Sequence, residues 1–188
     1  MPYRNAFGRT YDCGQFGENM DRVLGLADHD GFAARQQDAR ARGKLRGLGF
    51  ANAIERAASP GLEFAEIRFN PSGGATILMG SKNQGQGHET IFRQIAAERL
   101  GIDPSDIQYI DGDTDRVAFG IGTNGSRSTV IGGSALWQAA GKIIEKGKRI
   151  AAHFMEADVE DMDYADGLFT VAGTDRSMSL VDVARSAF

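Results

Sequence analysis

A chain of 188 residues with 41% apolar and 24% charged side chains suits one globular domain with a core of useful size, which excludes wholesale disorder. The net charge of −4 excludes a general binder of nucleic-acid backbones, which needs a basic surplus. No apolar run approaches the roughly 20 residues that span a bilayer, and Met1-Pro2-Tyr3-Arg4-Asn5 lacks a signal-type apolar stretch, so no membrane partner and a cytoplasmic location are expected.

In chain order, residues 2–17 are rich in Gly, Asn, Asp and aromatics without a sustained period, as in a linker or arm. They hold Cys13, the only cysteine, so the chain forms neither an internal disulfide nor a four-thiolate iron–sulfur site. From residue 16 to 42, Met20, Val23, Leu24, Ala27, Phe32, Ala33 and Ala39 predict helix, with an interruption near Asp28-His29-Asp30-Gly31. Residues 45–54 mix Leu48, Phe50, Ala51 and Ile54 with Gly47 and Gly49, which predicts a strand approached closely by another backbone. Residues 64–69 alternate, with Ala65, Ile67 and Phe69 on one face. Asn70-Pro71-Ser72-Gly73-Gly74 then supplies a turn, and residues 75–79 complete a β-hairpin.

A helix is predicted over residues 88–100, with Ile91, Phe92, Ile95, Ala96 and Leu100 on its apolar side and Gly101 as its stop. Residues 107–110 read as a strand leading to the acidic loop Asp111-Gly112-Asp113-Thr114-Asp115. The longest helix is predicted from about residue 129 to 157, because Leu136, Ala139, Ile143, Gly147, Ile150 and Phe154 recur at helical spacing, with Ser128 or Thr129 as its cap. A short strand pair around Met162 and residues 168–171 and a helix near 180–187 close the chain. The predicted division is an N-terminal arm and helix, residues 1–43, followed by one ligand-binding domain, residues 44–188.

Two segments carry the chemistry: Gly85-Gln86-Gly87-His88-Glu89-Thr90 and Gly122-Thr123-Asn124-Gly125-Ser126-Arg127-Ser128-Thr129. Each is a small-residue loop ending where a helix begins, which turns unpaired amides and the helix dipole toward an anion. Gln84, Gln86 and Thr90 add donors and acceptors to the first. Ser126, Ser128 and Thr129 add hydroxyls to the second, where Arg127 offers paired charge-assisted bonds to a phosphate. Together they suit a ligand with phosphates and a heterocycle. The first loop lacks the Gly-Lys-Ser/Thr ending of a nucleotide P-loop and the full Gly-x-Gly-x-x-Gly of a dinucleotide fold. His29, His88 and His153 are too scattered for a zinc site with Cys13.

Residues 80–101, above all Gly85-Gln86-Gly87-His88-Glu89-Thr90 and Gln94-Ile95-Ala96-Ala97-Glu98, resemble the large subunits of carbon monoxide dehydrogenase and its xanthine dehydrogenase and aldehyde oxidase relatives. Asp111-Gly112-Asp113-Thr114-Asp115 and Gly122-Thr123-Asn124-Gly125-Ser126-Arg127-Ser128 follow in that family's order. Tyr11-Asp12-Cys13-Gly14 and Gly47-Leu48-Gly49-Phe50 are similar as well, so the likeness covers nearly the whole chain. The resemblance implies an α+β fold, a mixed, largely antiparallel sheet with helices packed on one side and both loops at one end.

It also implies a non-covalently held molybdenum cofactor, molybdopterin cytosine dinucleotide, in an enzyme that hydroxylates with oxygen taken from water. Gln84, Gly85, Gln86, Gly87, His88 and Thr90 would line that cofactor. Gly125, Ser126, Arg127, Ser128 and Thr129 would meet its phosphates or nucleotide end. The implied partners are the rest of the large subunit and iron–sulfur and FAD subunits, with self-association when the chain is alone. The family's essential glutamate stands in a Gly-x-Gly-Glu setting, and nothing comparable follows Thr129. The substrate-selecting loop lies in the part of the relatives before Met1. No activity is therefore expected of this chain alone. A non-catalytic scaffold from a truncated gene and a generic nucleotide binder are the competing expectations.

Overall fold

The computed structural model describes residues 1–54, 57 and 61–188, which fall into two compact units, Met1–Ala53 and Ile54–Phe188. In the smaller unit, β1 (Tyr3–Arg4) and β2 (Thr10–Tyr11) pair antiparallel. The Asn5 side-chain oxygen holds the turn between them by accepting from the amides of Phe7 and Arg9, both at 3.0 Å. Two helices follow, α1 (Phe16–Leu26) and α2 (Phe32–Ala41), divided at the predicted tetrapeptide. Asp28 takes φ +47° there and its carboxylate pairs with Arg35.

The strand predicted over residues 45–54 does not form: the segment is irregular, and Leu45 and Phe50 are exposed. Gly47 and Gly49 have nothing within 4 Å of where a Cβ would stand. Without side chains on alternate residues, no cross-strand packing offsets the extra backbone entropy that glycine loses in a strand.

The larger unit begins with the predicted hairpin, β3 (Ala65–Phe69) against β4 (Ala75–Met79), Ile67 facing Ile77. Asn70 shapes its turn, its side-chain oxygen accepting from the amides of Ser72 and Gly74 at 3.0 Å each. The chain crosses over through α3 (His88–Leu100) and a 3-10 turn at Pro104–Asp106, returning as β5 (Ile107–Asp111) parallel to β4. A π-helical turn, Ser128–Gly132, opens into α4 (Gly133–Phe154). An antiparallel meander of β6 (Met162–Ala165), β7 (Leu168–Val171) and β8 (Ser177–Ser179) then leads to α5 (Leu180–Ser186). The fold is α+β, with β4 and β5 the parallel pair among antiparallel ones in the described residues.

Ile67, Ala75, Ile77, Met79 and Ile107 bury one face of the first sheet against Phe92, Ala96 and Leu100 of α3 and Leu136, Ala140 and Ile144 of α4. Each such fully buried large apolar side chain contributes about 1.5–3 kcal/mol. The buried stripe of α4 is Leu136, Ala140, Ile144, Gly147 and Ala151, turned by one position from the predicted one. Ala139, Ile143 and Ile150 flank it and Phe154 is exposed. Small residues won the centre because β7 approaches closely: a Cβ on Gly147 would lie 2.3 Å from the Phe169 ring. The Tyr164 hydroxyl donates to the Leu100 carbonyl at 2.7 Å, joining the meander to the end of α3, and burial pushes its pKa up to about 12. Among the described residues no helix is long and apolar enough to cross a membrane.

Candidate functional site

Because β4 and β5 run parallel, their carboxyl ends share one edge, and each feeds a helix through one of the two glycine-rich segments. That edge is where parallel strand–helix units gather ligands. The segments touch there. A Cβ on Gly120 would stand 2.3 Å from the Gly80 carbonyl oxygen, so only glycine allows the two backbones this close. The Thr123 hydroxyl donates to the Lys82 carbonyl at 2.6 Å. Asp111, at the end of β5, accepts from the Asn83 amide and, at 2.7 Å, from the Tyr109 hydroxyl. Burial first, and then the Asp111 carboxylate, hold that phenol far above the ordinary tyrosine range.

In the first loop Gly87 adopts φ +83° to turn the chain into α3, and no side chain caps the helix. The amides of Gln86, Gly87, His88, Glu89 and Thr90 have no acceptor among the described residues. The Gln86 side chain folds back to accept from the Gln84 amide at 2.5 Å, and the Asn83 side chain accepts from the Gly85 amide at 3.2 Å. Gln84, Gly85, Gln86, Gly87 and Thr90 are exposed. His88 is only 4% exposed, its ring 5.5 Å from that of Phe92, and its buried Nδ1 has no partner among the described residues.

In the second loop Gly125 and Thr129 are exposed, and Ser126 is exposed with φ +52°, a left-handed conformation that serine seldom takes. Arg127 does not stand outward as the expected phosphate clamp. It is 1% exposed, donating from Nη1 to Glu63 Oε2 at 2.7 Å and from Nη2 to the Leu62 carbonyl at 2.6 Å. A cation withdrawn from water needs such a partner, and Glu63 supplies it. Nor does Ser128 cap the long helix: it is buried, donates to the Thr123 hydroxyl at 3.3 Å, and the chain enters α4 through the π-helical turn instead.

Three residues outside the two named segments, Glu63, Ser81 and Lys82, shape the corner together with Thr123 of the second. Glu63 and Ser81 are buried between the loops, Thr123 bridges them, and the stem of Lys82 covers Gly112, whose Cβ would meet it at 3.4 Å. Lys82 had a readable signal, a lone cation beside a glycine-rich loop. Glu63 had none.

The family described as molybdopterin cofactor-binding domain matches residues 22–188. The chain belongs to that family. Among the similar members, the carbon monoxide dehydrogenase large chain of Hydrogenophaga pseudoflava is 37% identical over all of this chain and 25% of its own length. The nicotine 6-hydroxylase large subunit of Paenarthrobacter nicotinovorans is 34% identical over the same shares. Of solved structures, Cu,Mo-CO dehydrogenase superposes with a TM-score of 0.69 at 34% identity, over 100% of this chain and 26% of that one. Quinoline 2-oxidoreductase from Pseudomonas putida 86 gives 0.63 at 33%, over 99% and 25%. This molybdopterin cofactor-binding domain thus spans about a quarter of the length of the relatives it matches.

The residues present fit the family's cofactor on this structure's own terms. Among the described residues, a run of amides without acceptors stands at a helix start with no side-chain cap, an arrangement able to receive an anion without a basic side chain, and beside it lies a buried imidazole nitrogen without a hydrogen-bond partner.

Proposed function

We propose that this chain is a cofactor-binding segment of a molybdenum-dependent hydroxylase or dehydrogenase in the cytoplasm, and that its ligand is molybdopterin cytosine dinucleotide. The convergence of two helix-leading glycine loops at the carboxyl edge of β4 and β5 carries the reading. When bound, the cofactor supplies the redox chemistry of hydroxylation.

The chain's own part is to bind and orient. The amides of residues 86–90 receive anionic oxygens. His88 Nδ1 offers one oriented bond, and Gln84, Thr90, Ser126 and Thr129 surround the ligand with polar side chains. Ser128 steadies Thr123, and Gly125 lets the backbone approach. Arg127 supports from beneath, since its guanidinium faces Glu63. The rest of the large subunit and iron–sulfur and FAD subunits are the proposed partners.

Calorimetric titration of the 188-residue chain with molybdopterin cytosine dinucleotide tests the reading. Saturable binding, tighter than that of ATP, is expected; equal affinity for ATP would instead identify a generic nucleotide binder, and no binding would leave a scaffold. The chain alone, loaded with cofactor, is expected to reduce no dye in the presence of purines, aldehydes or carbon monoxide, because no Gly-x-Gly-Glu segment follows Thr129. Turnover above the rate of free cofactor would refute that part.

A further inference from the structure

Both loops of the corner and the approach to β3 meet at one side chain that belongs to neither loop. Glu63 stands just before β3, and its carboxylate is wholly buried. Oε1 accepts from the Phe64 amide at 3.0 Å and the Ile121 amide at 3.4 Å. Oε2 accepts from the Ser81 hydroxyl at 3.1 Å and Arg127 Nη1 at 2.7 Å. One oxygen therefore binds the first loop and the far end of the second, while the other binds the beginning of the second and the approach to β3. Across the same small space Gly80 and Gly120 are in backbone contact, so a shift of either loop must displace the other.

We infer that Glu63 is a positioning residue: its buried carboxylate, with Arg127 as counter-cation, fixes the spacing of the two loops and so the geometry of the anion-binding corner. The inference deepens the cofactor-binding reading above and rests on it. A carboxylate this deep without partners would lose its hydration with nothing to replace it. Four donors at 2.7–3.4 Å replace that hydration, but only while both loops stay in place. Glu63 touches no ligand in this scheme. It acts by making the separation of two glycine-rich segments, otherwise soft, into a fixed distance.

The test compares Glu63→Gln with Val183→Ala in the intact chain. Val183 lies buried in α5, which meets the β3–β4 turn through the bond from Arg185 to the Ser72 carbonyl, at the opposite end of β4 from the loops. It therefore lowers the melting temperature without touching the corner. Amide hydrogen exchange without ligand is the first readout. The informative amides are Asn83, bonded to Asp111, and Arg127, bonded to the Asn124 carbonyl, since neither donates to Glu63. Glu63→Gln is expected to speed both by about tenfold or more, the loss of one charge-assisted bond, with β6–β8 unchanged; Val183→Ala should speed neither selectively. Acceleration in one loop only, or evenly along the chain, overturns the inference.

The second readout is affinity for molybdopterin cytosine dinucleotide, expected to fall by about tenfold in Glu63→Gln and to stay within about twofold in Val183→Ala. Equal losses would also overturn the inference. Should the wild-type chain bind nothing, the functional reading fails while the exchange data still decide the role of Glu63. If Glu63→Gln does not fold, Arg127→Lys keeps the charge and gives up the two-pronged geometry. The same paired loosening of Asn83 and residues 120–127 is then expected, and wild-type exchange in that variant would count against the inference.

Discussion

A buried carboxylate and a buried guanidinium each lose several kcal/mol of hydration, so Glu63 and Arg127 are tolerable only as a pair. Glu63→Ala is expected to lower the unfolding free energy by about 3–5 kcal/mol, read as a fall in the urea midpoint. Glu63→Leu combined with Arg127→Met should cost less, because no lone charge is left inside. A second residue-level effect is the pH dependence of two phenols. Tyr109 and Tyr164 ordinarily ionise near 10.0, and in the fold both stay neutral well beyond it, Tyr164 until about 12. Above 10.0 the unfolded chain gains ionisation that the folded chain refuses, so stability present at neutral pH drains away as pH rises through these folded values. Tyr164→Phe should flatten part of that decline in urea midpoints taken across alkaline pH, and remove one late tyrosinate step from the near-ultraviolet titration. None of this was legible residue by residue. Glu63 and Arg127 are 64 positions apart, and no local spacing signals that pairing. Arg127 looked like a phosphate ligand because a serine-rich loop normally exposes its arginine.

At the level of elements, legibility followed period and punctuation. The β3–β4 hairpin, α3 with its stop at Gly101, and α4 were readable because alternation, helical spacing and turn residues agreed. The parallel direction of β5 was not, since an apolar strand carries the same pattern either way. Residues 45–54 failed for the opposite reason: the apolar count was right but the glycines removed the side chains a sheet needs. On α4 the spacing found the helix but not which small residue faces Phe169. Gly147→Ala presses a methyl into that ring and is expected to cost about 1–3 kcal/mol, seen as a lower melting temperature. Substituting Gly141, which has nothing within 4 Å of its missing Cβ, should instead be neutral or mildly stabilising.

Taken whole, the chain leaves much apolar surface in water. Val130 and Trp137, about two turns apart, are each about half exposed, with Arg99 lying 4.7 Å over the indole. Phe119 and Ile121 stand out similarly beside the second loop. Surface of this kind marks contact with other protein, and the relatives, about four times as long, have other protein to supply it. The chain by itself is expected to self-associate with rising concentration in sedimentation velocity, and Trp137→Glu should return it toward monomer without lowering its melting temperature greatly. The composition and charge anticipated a globular chain. They said nothing of how much of its surface is left uncovered, because that depends on which side of each helix the core chose.

The π-helical turn at Ser128–Gly132 spends one more residue per hydrogen-bonded ring than an ordinary helix does. Removing a single residue there, Val130 for instance, converts a wide ring into a normal one and leaves the register of everything downstream intact. The same deletion eight or ten residues later would swing Ile144, Gly147 and Ala151 about 100° off the core. A scan of one-residue deletions along this helix should therefore find its tolerant stretch next to the ligand corner, which makes that turn a natural place for length variation to alter the binding edge while the scaffold stays in phase.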